Sequence, residues 1–188
     1  MKAIRQKANE KKFVPALAAI ILFLILKISG VSQAQTAQWI QQAGTGGISN
    51  GVSHDAAQNC YATGMVSNPA LFDNITIPCF VSDVFLAKYS PAGAVLWAKV
   101  NGGELLDQGN EIATDASGNS YIAGYIQTNS LHPTATFGNF VLTGNGDYDW
   151  FLAKYDVNGN ILWAKNYGSA QGDMAYGVTL DASGNVYV

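Results

Sequence analysis

Residues 83–99 read DVFLAKYSPAGAVLWAK and residues 149–165 read DWFLAKYDVNGNILWAK, nearly the same seventeen-residue phrase sixty-six positions apart. The duplication extends further. DASGNSYIAGY at 115–125 returns as DASGNVYV at 181–188, again sixty-six residues on, and DAAQNCYATG at 55–64 is a worn earlier copy. Trp39, Trp97 and Trp163 take matching places, each followed five residues later by Gly44, Gly102 or Gly168. Copies that keep register over this length mark a repeat architecture, to be settled before any single motif is weighed.

Within a unit the pattern is that of strands. FLAKY puts Phe, Ala and Tyr on one face and Leu and Lys on the other. SPAG and DVNG then supply turn residues, with Asn158–Gly159 suited to a left-handed tight turn, before AVLWAK and ILWAK resume. EIATD and SYIAG form a second hairpin with Ser117, Gly118 and Asn119 at its tip. TATFGNFVLTG at 134–144, and LFDNITI at 71–77 in the preceding unit, add shorter strands. Val95, Leu96, Trp97 and Ala98 run without a polar break, which predicts a strand covered on both faces. Four-stranded antiparallel sheets repeated radially and stacked face to face meet that demand, the plan of a β-propeller. A β-helix needs shorter repeats, and a β-sandwich would not keep one spacing.

The N-terminal segment is different. Five of the first twelve residues are basic, fourteen apolar residues follow at 13–26, and Ser32 and Ala34 provide a small-x-small exit. That is the layout of a secretory signal peptide, helical while it acts, with cleavage near Ala34. A membrane anchor would need about 20 apolar residues, and Lys27 ends the run earlier. Residues 35–188 keep four lysines, no arginine and twelve acids, a net charge of −8. Such a surface argues against nucleic acid, where cations must replace counterions, and against anionic lipid. Membrane contact is expected only through the signal peptide during export.

Gly102, Gly103, Asp107, Ile112, Asp115, Gly118, Asn119, Tyr121 and Gly124 open a spaced pattern. Asp149, Phe151, Ala153, Lys154, Gly159, Asn160 and Trp163 complete it. The pattern resembles the bacterial repeat often called the seven-bladed β-propeller repeat, and the likeness spans 38–188. The resemblance implies a secreted or surface protein of bacteria, often long and without an assigned activity. With the signal peptide at 1–34, the repeat region is 35–188, with units near 38–97, 98–163 and a truncated 164–188. About two and a half blades are present, so the expectation is an incomplete all-β propeller whose remaining blades belong to a longer chain.

Chemistry-bearing motifs are few. Asp156-Val-Asn158-Gly-Asn160 imitates the start of a calcium loop, but Tyr167 stands where an EF-hand needs Glu, and the preceding copy has Ser90-Pro-Ala there. GNGDYDWF at 144–151 has its Asp out of step with a calcium-binding nonapeptide. Asp55, Asp115 and Asp181, Asp83 and Asp149, and Lys88 and Lys154 recur once per copy, as expected of residues serving the copy's fold. His54 and His132 have no metal-ligand spacing and no nucleophile setting. GTGG at 44–47 precedes a strand, without the helix N-terminus that phosphate sites use. No catalytic, cofactor-binding or metal-binding residue is assigned, and no cofactor is expected. Cys60 and Cys79 allow one disulfide, which export would permit. Its matching sites in the other copies are Ser120 and Val186, so the fold does not require it.

These observations predict a binding or scaffold module at the cell surface or outside the cell, with a surface glycan or a protein as partner. The connections 65–82 and 125–148 differ between copies and would carry the contacts, Phe72, Asn74, Phe80, Asn129 and Tyr148 among them. The alternative is a hydrolase or lyase acting on polysaccharide, its catalytic residues mostly outside this segment.

Overall fold

The computed structural model describes residues 46–188, and outside them only the backbone of β1 (Ile20–Leu22) and β2 (Ile40–Gln42), which pair antiparallel. The signal-peptide reading of 1–34 falls outside the described residues. Among those described every regular element is a strand, and no helix is long and apolar enough to cross a membrane.

In chain order the strands are β3 (Gly47–His54), β4 (Cys60–Val66), the short pair β5 (Ala70–Phe72) and β6 (Ile75–Ile77), β7 (Asp83–Tyr89) and β8 (Val95–Gly103). The next unit supplies β9 (Gln108–Thr114), β10 (Ser120–Gln127), the short pair β11 (Thr134–Phe137) and β12 (Phe140–Thr143), β13 (Tyr148–Tyr155) and β14 (Ile161–Tyr167). A third unit begins with β15 (Thr179–Leu180) and β16 (Val186–Tyr187). β3-β4-β7-β8 is an antiparallel meander, and β9-β10-β13-β14 repeats it. β11 also crosses to the earlier sheet, pairing Ala135 with Gly103 and Thr136 with Gly102 at the outer side of β8.

The two meanders stack through an apolar layer. Tyr61, Val84 and Leu86 on one sheet meet Ile112, Ile122, Ile126, Phe151 and Ala153 on the next. The opposite face of the first sheet carries Phe85, Ala87 and Tyr89 in a second cluster. FLAKY therefore divides by alternate residues as its sequence predicts, and each fully buried large side chain contributes roughly 1.5–3 kcal/mol. The third unit caps the far side, where Tyr121 and Ala123 pack with Ala175 and Val178.

One expectation needs correcting. The strand buried on both faces is β7, all seven of whose residues are buried. AVLWAK is not: Leu96 is 49% exposed, as is its counterpart Leu162 at 46%. β7 lies between β4 and β8 inside the sheet, whereas β8 and β14 are the outer strands of their meanders. An unbroken apolar run thus marked the outer strand, and the lysine-bearing phrase marked the inner one.

Glycine is fixed at two matching places. Gly64 and Gly124 stand beside register shifts in β3 and in the β9–β10 pairing. A Cβ on Gly64 would strike the Ile48 carbonyl oxygen, and one on Gly124 the Gln108 carbonyl oxygen. The neighbouring strand's bulge therefore requires glycine in both copies.

Candidate functional site

The recurring aspartates of the hairpin turns and the recurring lysines are engaged at one end of the sheets. At the β9–β10 turn Asp115 Oδ1 accepts from the Ser117 and Asn119 backbone N–H groups, and Oδ2 accepts from Asn119 Nδ2. Asp181 is bound in the same way by Ser183 and Asn185, and Asp55 by Asn59. Tyr61, Tyr121 and Tyr187 each donate a hydroxyl hydrogen bond to the aspartate six residues earlier. The calcium-loop lookalike at Asp156 is the same kind of turn, its carboxylate taken by Asn158 N, Asn160 N and Asn160 Nδ2. Ser90 Oγ, which accepts from Ala94 N, replaces it one unit earlier.

The repeated lysine belongs to the same arrangement. Register places Tyr61, Lys88 and Trp97 in a row across β4, β7 and β8, and Tyr121, Lys154 and Trp163 in the equivalent row. Lys88 Nζ lies 4.7 Å from the Tyr61 ring centre and Lys154 Nζ 4.8 Å from that of Tyr121. Lys88 Nζ is also 3.2 Å from Asp55 Oδ2, both side chains being buried. Burial would raise the Asp55 carboxyl, but its Asn59 bonds and Lys88 outweigh burial and hold it below the usual range.

At the other end lie the connections that differ between copies. A stitch joins the sheets there: Asp107 N donates to Ser82 O, and sixty-six residues on Asp173 N donates to Tyr148 O. Asp107 accepts from the Gly103 and Gln127 backbone N–H groups. Burial, with the nearby Asp83 charge, nevertheless raises its carboxyl to about 7. Phe80 is 59% exposed and its N–H donates to Asp83 Oδ2. Asn129 is exposed, and its side-chain oxygen accepts from Leu131 N and His132 N. Half-buried Tyr148 meets Tyr125 edge-on at 5.3 Å and accepts from Gln127 Nε2. His132 Nδ1 lies 3.0 Å from Glu104 Oε2. Exposed Val81 and Leu131 belong to these same connections.

Two sequence expectations fail on placement. Phe72 cannot contact a ligand, because it is fully buried and packs on Phe85 at 5.5 Å. Phe137 does the same to Phe151 at 4.7 Å, so the insert phenylalanine is a core residue in both units. Cys60 and Cys79 are free thiols. Cys60 begins β4 while Cys79 Sγ lies beside the Val66 carbonyl that ends it. Six residues of strand, roughly 20 Å, separate the two, too far for a disulfide. Asn74 is exposed at the β5–β6 tip.

Sequence reasoning also missed an opening beside the outer strand of the first sheet. A cleft of about 570 Å³ is lined by Lys99 and Asn101 from β8, Thr136 and Asn139 from the insert hairpin, and Tyr155 and Asn160 from the next sheet. The available signal was a divergence inside the duplicated text, Asn101 in one copy against Tyr167 in the other. Among the described residues no three His, Cys, Asp or Glu side chains are grouped to hold a metal ion.

Comparison with known proteins agrees with this architecture. Residues 102–132 match the family described as SBBP, Beta-propeller repeat. The matched stretch runs from the end of β8 through β9 and β10, the junction between the two sheets. The chain is also similar to "Uncharacterized WD repeat-containing protein L264" of Acanthamoeba polyphaga mimivirus, 29% identical over 112 residues. That alignment covers 53% of this chain and 8% of the relative's length.

Proposed function

We propose that the protein is a binding or scaffold module of an exported β-propeller, working at the cell surface or outside the cell. One observation carries the reading. The hairpin-turn aspartates, the lysines and the aromatics that recur between copies are engaged in turns and inter-strand rows, while the connections that vary present Phe80, Val81 and Leu131 to solvent at one end. A rigid stack of sheets with variable loops at one end suits recognition. The β-propeller repeat match at 102–132 supports a module that binds a partner. The basic, apolar and small-residue order of 1–34 supports export. A protein or a surface glycan is the partner class.

The experiment replaces Phe80, Val81 and Leu131 by serine, which spares the buried layers, and compares capture of surface glycans and envelope proteins with that of the parent. Loss of capture with an unchanged melting temperature supports the module. Equal capture by both forms would reject this end as the contact surface.

A further inference from the structure

We infer that the partner of the loop end is a protein segment with a lysine or arginine set between apolar side chains, and that Glu104 receives that cation. The inference rests on the loop end being the contact surface. Backbone pairing brings its parts together. Ser82 and Leu106 form a parallel bridge, and Asp107 N donates to Ser82 O at 2.8 Å, so the run holding Phe80 and Val81 lies alongside 104–106. On the other flank His132 Nδ1 stands 3.0 Å from Glu104 Oε2, which ties the loop carrying Leu131 to the same acid. A carboxylate has room for further donors besides that imidazole. The result is one ridge, in which a carboxylate 59% open to solvent is bracketed by exposed Phe80, Val81 and Leu131.

Charge selects the chemistry of the partner. The four lysines of 35–188 all sit within strands, at 88, 99, 154 and 165. The connections at the loop end, 67–82, 104–107, 128–147 and 168–178, hold five acids and no lysine or arginine. A neutral glycan gains nothing from such a field and an acidic one is repelled, whereas a cationic protein surface is drawn in and oriented. Large apolar side chains exposed together beside a polar group fit a protein contact as well. The turn end is different. There Lys88 pairs with Asp55 and Lys154 lies close enough to Asp115 to favour its charged form, so that end answers its own acids.

The test titrates the full chain by calorimetry with three probes. One is a short serine- and glycine-rich peptide in which lysines alternate with leucine and phenylalanine; the others are its counterpart with glutamine for each lysine, and galactotriose. The lysine peptide is expected to bind about tenfold more tightly than the glutamine one at low salt, the effect of one charge-assisted hydrogen bond, and less so at high salt. Glu104→Gln, at an exposed position, should abolish that preference and leave the glutamine peptide's affinity unchanged. Asp181→Asn removes the same charge at the turn end, keeps an acceptor for the turn, and should leave the preference intact. Binding of neither peptide, equal affinity for both, an unaltered preference in Glu104→Gln, an equal loss in Asp181→Asn, or tighter binding of galactotriose would each overturn the proposal. The Phe80, Val81 and Leu131 variant separates the two levels. If it loses capture of envelope proteins while Glu104→Gln changes nothing, the contact surface stands and the basic partner falls; if it captures as the parent does, the contact surface itself falls.

Discussion

Asp83 Oδ1 and Asp107 Oδ2 crowd one point, the space a Cβ on Gly102 would fill. Both carboxyls are buried, Asp83 Oδ1 has no hydrogen-bond partner, and neither acid has an ion-pair partner among the described residues. Two such groups cannot both ionise cheaply, and burial raises the pKa of each. A carboxyl raised in the folded state binds protons that the unfolded chain has already released. Stability is therefore predicted to fall as pH rises from about 4 to about 7, by a few kcal/mol. Asp83→Asn keeps the shape and places a donor opposite Asp107. Its melting temperature should exceed the parent's at pH 8, with the gap closing toward pH 4; parallel curves would refute the account.

The Asp55 pair carries the opposite sign. Its carboxyl is held low, so its contribution is present above the ordinary aspartate range and disappears as pH falls through the folded value. Lys88→Met leaves Asp55 buried without its cation. The expected loss is about 3 kcal/mol in urea unfolding at pH 7. Lys154→Met, at a more exposed lysine, should lose less than half of that, and equal losses would mean that burial is not the cause.

Phe137→Ala should destabilise the chain by about 3–5 kcal/mol, the range for a buried phenylalanine. Denaturant midpoints provide the measurement. A loss near zero would show that the insert hairpin is an appendage and not part of the core.

Cys60 is expected to resist alkylation in the native protein, since burial lifts its thiol to about 12 and leaves little thiolate at pH 8. In urea, without reductant, mass spectrometry should find two alkyl groups per chain. A chain with none would restore the Cys60–Cys79 bridge.

Much of the architecture was legible because repetition and alternation are local signals. FLAKY assigned its own two faces, and Asn158–Gly159 announced a tight turn that Gly159 makes at a φ of 79°. Phe72 and Leu96 misled because burial depends on which sheet a residue leans against. A phenylalanine in a variable loop and a leucine in an apolar run read alike until the stacking is known. The cleft was invisible for a related reason. Lys99, Asn139 and Tyr155 are widely spaced in sequence and meet only when the hairpin tip reaches across to β8. The cysteine pair failed on length alone, because loop size in the sequence gives no hint that a whole strand keeps the sulfurs apart.

The crossing of β11 onto β8 has a consequence for solubility. Exposed strand borders invite other chains to add on, and here a piece of the following unit occupies part of that border at Gly102 and Gly103. Protection against clumping is thereby lent by a successor to its predecessor. Damage to one insert would show itself as stickiness in the unit before it.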